Sequence, residues 1–232
     1  ILGLAAYGDP KKAYKFISKM ISYDKKTGEF RGNFEKGLYI AKYNNPNIKF
    51  LLKKFSKQDI AAAAQKVLEE VIIKFLKNNI PSNSNLALAG GVFANVKINQ
   101  LISEINKIKK IFVYPNMGDG GLAIGTAALS YHKNFNYKKR AVESMYLGPK
   151  YSDLKILNEI KKYKLNYFFT TKPAKYLAQK LNDGFVVACF QGRMEFGPRA
   201  LGGRSILGDP RSDKMQKNLN LKVKYRESFR PF

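Results

Sequence analysis

Leu86-Ala-Leu-Ala-Gly-Gly-Val-Phe-Ala-Asn95 carries a short apolar run into two glycines and then into a helical pattern. The residues Val92, Val96, Leu101, Ile102 and Ile105 recur at three and four, which predicts a helix with those side chains along one side. A strand, Ile111-Phe-Val-Tyr114, follows and stops at Pro115. After Asn116-Met-Gly-Asp-Gly-Gly121 a third, small-residue-rich helix runs to about Ser130. Strand, helix, strand, helix with short connections implies a parallel strand pair with a right-handed crossover, so the fold class is α/β. Both glycine turns then follow the carboxyl ends of strands, where open α/β sheets bind ligands. Gly90 and Gly91 would let backbone approach a ligand and turn helix amides toward an anion. Tight packing alone explains such a turn equally well.

Outward from this unit, Ser56-x-x-Asp59 opens a helix whose Ile60, Ala64, Val67, Leu68, Val71, Ile72, Phe75 and Leu76 form a buried face. Residues 23 to 56 show no clear period and are expected to be an irregular, partly extended excursion. Near His132 to Arg140 the pattern lapses, which places a domain boundary there. Ser152-Asp153 then opens a helix through about Tyr163, and Phe168-Phe-Thr-Thr171 is expected to be a strand. Pro173 begins another helix that Gly184 closes, before a strand over 185 to 190. Cys189 sits in that strand as a small core residue, and as the only cysteine it has no disulfide partner in the chain.

Six of the eight arginines, Arg193, Arg199, Arg204, Arg211, Arg226 and Arg230, fall between residues 193 and 232, against only four of the 34 lysines. A chain that uses lysine nearly everywhere else has here used a planar, bidentate donor, which suits phosphate or carboxylate held in fixed geometry. Arg193, Arg199, Arg204 and Arg211 can supply forks to such an anion and offset charge that develops in phosphoryl or adenylyl transfer. Glu195 and Asp209 are expected to hold those guanidiniums, with Glu195 as a general base the second reading. Ser205 can donate to a phosphate oxygen. Asp119, between glycines before the third helix, is a candidate cap of that helix, and its place at a strand's carboxyl end favours more than a cap.

The formal charge of +25 raises nucleic acid as a partner. The lysines, however, are spread in short groups such as Lys11-Lys12, Lys53-Lys54 and Lys161-Lys162 and are not aligned with aromatics on one face, which argues against it. No run of 18 uncharged apolar residues and no signal-peptide pattern at the first residues is found, so a cytoplasmic location with no membrane partner is expected. His132 has no partner at ligand spacing and reads as a solvated helix end.

Gln191-Gly-Arg-Met-Glu-Phe-Gly-Pro-Arg-Ala-Leu-Gly-Gly-Arg-Ser-Ile-Leu-Gly-Asp-Pro-Arg211 and Arg226-Glu-Ser-Phe-Arg-Pro-Phe232 resemble the O-carbamoyltransferase family that includes the NodU nodulation proteins. Gly3-Leu-Ala-Ala-Tyr-Gly8, Gly90-Gly-Val-Phe-Ala-Asn95, Gly118-Asp-Gly-Gly121 and Tyr146-Leu-Gly-Pro149 extend the resemblance along the chain in the same order. It implies that residues 1–138 are the carboxyl-side part of an actin-like (ribonuclease H-like) ATPase domain, and that 139–232 begin a YrdC-like domain. It further implies that the chain, starting at Ile1 inside a motif, is a fragment of an enzyme joining ATP and carbamoyl phosphate into carbamoyl adenylate. The carbamoyl group would then pass to a hydroxyl of a sugar or natural-product acceptor. Gly90, Gly91 and Asn95 map to nucleotide contacts, and Ser205, Asp209, Arg211, Arg226 and Arg230 to the nucleotide and carbamoyl phosphate. Arg193, Glu195, Arg199 and Arg204 map to the catalytic set. Asp119 maps to a ligand of a metal, commonly iron, with magnesium accompanying ATP as the other candidate, although the family's His-x-x-x-His pair is absent. The partners are small molecules, and a homodimer is compatible with the pattern. The competing readings are a basic RNA- or anion-binding module and a tRNA threonylcarbamoyl-type transferase.

Overall fold

A computed structural model describes residues 1–32, 46–135 and 144–232. They group into two units, Ile1–Val113 with Phe229–Pro231, and Tyr114–Ser228 with Phe232. The expected boundary near His132 to Arg140 lies partly outside the described residues.

In the first unit, α1 (Leu2–Ala5) leads to α2 (Pro10–Ile17), which Asp9 caps by accepting from the Lys11 amide at 2.9 Å. The hairpin β1 (Ile21–Asp24) and β2 (Glu29–Gly32) is antiparallel, and α3 (Pro46–Lys54) precedes α4 (Lys57–Asn79). The stretch expected to be irregular thus holds a hairpin and a helix around residues 33–45, which lie outside the described residues. What period alone misses is the turn chemistry. The Asp24 carboxylate accepts from the Lys26 amide at 2.8 Å, and Arg31 on the facing strand pairs with it at 2.8 Å. Ser56 caps α4 as expected, its hydroxyl accepting from the Asp59 amide at 3.0 Å. Ala13, Ile17, Tyr23, Leu51, Ala63, Val67 and Val71 make one buried cluster between α2, α3, α4 and the hairpin.

β3 (Ser84–Leu88), α5 (Val96–Ser103) and β4 (Ile108–Val113) form the parallel unit, with Leu86 opposite Ile111 and Leu88 opposite Val113. Both strands start earlier in the chain than their apolar runs indicated. The helix also starts later than its apolar stripe indicated. Gly91–Ala94 is a separate 3-10 turn and Asn95 restarts the chain as cap of α5, so Ile98 and Ile102 are fully buried while Val96 is 62% exposed. Of the expected stripe, Ile102 and Ile105 are buried as read and Ile98 joins them, set on Leu76 and Leu88, whereas Val92 and Val96 are exposed and Leu101 is half-buried. Each of those isoleucines contributes about 2 to 3 kcal/mol of burial.

The second unit begins with a 3-10 turn, Asp119–Gly121, and α6 (Leu122–Asn134), one turn longer than expected. α7 (Asp153–Lys162) is capped by Ser152, and α8 (Pro173–Asn182) starts on its proline and closes before Gly184 at φ 84°. β5 (Val187–Phe190) pairs antiparallel with β6 (Arg204–Leu207), a strand no apolar alternation announced. α9 (Met215–Asn218) runs into a wider π-type turn, Leu219–Val223, and Met215, Leu219 and Asn220 are buried there. The expected strand at Phe168–Thr171 is not formed. No described strand pairs with it, Phe169 is 81% exposed, and Phe168 instead meets the Tyr176 ring edge-on at 5.0 Å. Cys189 lies in β5 but is only half-buried. Among the described residues no helix is long and apolar enough to cross a membrane.

Candidate functional site

β5 and β6 are joined by residues 191–203, so the hairpin's own connection is the arginine-bearing loop. A loop of thirteen residues holds its shape only if its amides find partners. Here one side chain supplies them. Glu195, only 9% exposed, accepts through Oε1 from the amides of Leu201 at 2.8 Å, Gly203 at 2.8 Å and Arg204 at 2.9 Å. These bonds, the Arg204 amide foremost, then its own amide and that of Leu201, lower its pKa from 4.5 to about 2 against the opposing effect of desolvation. Such a carboxylate has little affinity for a proton at neutral pH and is poorly suited to general base catalysis. The expectation that Glu195 holds guanidiniums is therefore corrected: it holds peptide amides.

A second strand of support comes from residues 145–149. The Gly148 amide donates to Met194 O at 2.9 Å, Met194 to Pro149 O at 3.0 Å and Phe196 to Met145 O at 2.7 Å. The Tyr146 hydroxyl donates to Leu201 O at 2.5 Å. Arg193 closes the contact, its Nε donating to Tyr146 O at 3.0 Å and its Nη2 to Leu147 O at 3.2 Å. The Tyr146-Leu-Gly-Pro149 motif and the arginine loop are one structural object, although 45 residues separate Gly148 from Arg193. The sequence marked both motifs but gave no sign that they pair.

Arg204 leaves the loop at the first position of β6. Its Nη1 donates to Gln191 O at 2.9 Å and Gly203 O at 2.7 Å, and its guanidinium lies 3.5 Å from the Phe190 ring centroid. Phe190 was not singled out from the sequence; its place immediately before the loop, directly opposite Arg204 across the hairpin, is the signal. The same ring lines a groove of about 440 Å³ along α7 with Tyr151, Tyr163 and Leu165. Ser205, 9% exposed, accepts from the Gly202 amide at 3.0 Å. Arg199 is exposed on the loop between Glu195 and Leu201.

Arg211 and Arg226 have other partners. Asp209 and Arg211 pair as expected, with Nη2 to Oδ2 at 2.6 Å, and Arg211 also donates to Asn182 Oδ1 at 2.9 Å. This pairing lowers the Asp209 pKa and raises that of Arg211. Arg226 donates to Oδ1 of the fully buried Asn220 at 2.7 Å and lies 4.8 Å from the Phe232 ring. Arg230 is exposed.

The other predicted positions differ in character. At Gly90, which has φ 113°, and at Gly91 an added Cβ would meet no atom within 4 Å. Asn95 is engaged in the fold: its Oδ1 accepts from the Ile98 amide at 3.2 Å and its Nδ2 donates to Gln65 Oε1 at 2.8 Å. Helix α5 is thus capped by its own side chain. Asp119 is exposed and makes no side-chain cap bond; the residues at the cap positions are Gly118 for its turn and Gly121 for α6. The capping account of Asp119 is therefore not what the structure shows. Among the described residues no three His, Cys, Asp or Glu side chains gather into a metal-holding group.

Comparison with known proteins matches residues 1–128 to the family model described as carbamoyltransferase N-terminus and residues 178–232 to that described as carbamoyltransferase C-terminus. An uncharacterised protein of Synechocystis is 37% identical over all of this chain and 41% of its own length. The nodulation protein NolO of Bradyrhizobium diazoefficiens is 30% identical over all of this chain and 43% of its own length. A 3'-hydroxymethylcephem-O-carbamoyltransferase of Amycolatopsis lactamdurans is 29% identical over all of this chain and 42% of its own length. The chain spans about two fifths of the length of these curated relatives.

Proposed function

Because the chain belongs to the carbamoyltransferase family, we propose that it works as part of an enzyme that joins ATP and carbamoyl phosphate into carbamoyl adenylate. The carbamoyl group then passes to a hydroxyl of a sugar or natural-product acceptor. In this reading residues 1–138 belong to an actin-like transfer domain and 139–232 open a YrdC-like adenylating domain. Water first cleaves carbamoyl phosphate, releasing inorganic phosphate and leaving carbamate; a carbamate oxygen then bonds to the α-phosphorus of ATP, the bond from that phosphorus to the bridging oxygen breaks, and pyrophosphate leaves. The acceptor hydroxyl later attacks the carbamoyl carbon, losing its proton, and AMP departs.

The observation that carries this reading is the arginine loop. Arg193, Arg199 and Arg204 share one thirteen-residue connection and its first β6 position, and its backbone is fixed from within by Glu195. Guanidiniums mounted on a fixed backbone lose less freedom when they bind phosphate, and they offset the repulsion between two anionic substrates. Arg193 and Arg204 already spend donors on carbonyls, so in this reading they bind with their remaining N–H groups, and Arg199 is exposed on the same loop. Gly90 and Gly91 serve the nucleotide by close backbone approach, and Asn95 sets the helix behind them. Asp119 offers one oxygen donor to a metal. One carboxylate does not make a site for iron, and among the described residues no three His, Cys, Asp or Glu side chains gather around it.

The test is pyrophosphate release from ATP that depends on carbamoyl phosphate, measured on the full-length protein. Release is expected, and Arg199→Lys is expected to abolish it with the circular dichroism spectrum unchanged, because a point charge does not replace a fork. No release from the folded full-length protein would overturn the reading; undiminished release by the variant would remove Arg199 from the site.

A further inference from the structure

We propose that Glu195 is the positioning residue of the arginine loop, gathering the Leu201, Gly203 and Arg204 amides on one carboxylate oxygen and so fixing where Arg199 and Arg204 present their guanidiniums. This rests on the reading that the loop binds the anionic substrates. Three amides converging on one point form the kind of concavity that elsewhere binds phosphate. In this loop the concavity is filled by the protein's own carboxylate, so an incoming phosphate is met by side chains and not by these amides.

The packing leaves Glu195 little alternative. A Cβ on Gly203 would lie 2.8 Å from Arg193 O and 3.1 Å from Glu195 Oε2, so the loop closes on the carboxylate with no room between. Ser205 secures the adjoining amide of Gly202, and Arg193 ties the near end of the loop to Tyr146 and Leu147. Arg199 lies between Glu195 and the first of the three amides it holds. Its backbone is therefore bounded on both sides by the same side chain.

Electrostatics alone and positioning make opposite predictions. Glu195→Gln removes a negative charge beside an anion site. If Glu195 were only a nearby charge, the KM for carbamoyl phosphate would fall. If it positions the loop, the neutral amide holds the three N–H groups more weakly, and that KM rises about tenfold in a variant that keeps the wild-type circular dichroism spectrum. Glu195→Asp keeps the charge but withdraws the oxygen by about 1.5 Å, one carbon–carbon bond, and is expected to raise KM as much. A KM unchanged or lowered in either folded variant would overturn the proposal. Hydrogen exchange in the wild-type full-length protein decides the case if neither variant folds: the amides of Leu201, Gly203 and Arg204 must exchange slowly together, and fast exchange there would overturn it. A wild-type protein without carbamoyl-phosphate-dependent pyrophosphate release would instead refute the proposed function, and the exchange result would still report on the loop.

Discussion

Two glycine-bearing turns follow strands in this chain, one after β3 at Gly90-Gly91 and one after β5 in the loop of residues 191–203, and they use glycine for opposite reasons. At Gly203 a side chain would collide with the fold itself, since Arg193 O is 2.8 Å from where Cβ would stand. At Gly91 nothing lies within 4 Å of that position, and its φ is not in the left-handed region that glycine favours. The fold accounts for the first glycine and leaves the second without a structural reason. Open space beside a backbone that follows a parallel strand is what a ligand's close approach needs.

The comparison is sharpest if both are changed to alanine in the full-length protein. Gly203→Ala is expected to cost about 1 to 3 kcal/mol in urea unfolding, because the neighbour is backbone and can yield only if the loop shifts. Arginine-dependent pyrophosphate release should be lost with it. Should Gly203→Ala unfold at the wild-type midpoint, the loop is looser than its hydrogen bonds indicate and the contrast breaks.

Gly91→Ala should change the unfolding free energy by less than about 0.5 kcal/mol, as at an exposed position away from special features. Its effect belongs in function: overall carbamoyl transfer should fall about tenfold while carbamoyl-phosphate-dependent pyrophosphate release persists. Wild-type transfer by Gly91→Ala would return that turn to the packing account that the sequence left open.

The same two regions show what could be read ahead of the structure. The β3, α5, β4 order was legible because apolar runs, glycines and Pro115 punctuate it, and the caps at Ser56 and Ser152 were legible because a hydroxyl three residues before an amide has one obvious partner. The start of α5 was not, because a 3-10 turn at Gly91–Ala94 precedes the helix and takes Val92 and Val96 off the buried face that Ile102 and Ile105 keep. β6 was hidden since Arg204-Ser-Ile-Leu207 pairs along one edge only and carries its specificity in Arg204 and Ser205. Within the site, Asp209 with Arg211 was readable as opposite charges two residues apart. The amide-holding role of Glu195 was not, because its partners are backbone groups six to nine residues away, and backbone donors leave no mark in residue type.

A last and smaller effect separates the two units by acid. Asp59 in the first unit is held below the ordinary aspartate range chiefly by the Asp9 amide, then by Ser56, with Lys12 adding to it. Glu195 in the second is held at about 2, chiefly by the Arg204 amide. Both values are depressed on folding, so the stability each contributes is complete above the unfolded-state value, 4.5 for Glu195. It is lost as pH falls through the folded-state value. The urea midpoint of the full-length protein should therefore be insensitive to these groups from about pH 7 down to about pH 5 and decline below that. Glu195→Gln should flatten the decline reported by hydrogen exchange at Leu201 and Gly203 while leaving the acid response of α4 unchanged, and Asp59→Asn should do the reverse. If Glu195→Gln left the acid decline at Leu201 and Gly203 as steep as in the wild type, the carboxylate would not be what ties those amides, and the loop would have to owe its shape to the strand of contacts with residues 145–149 alone.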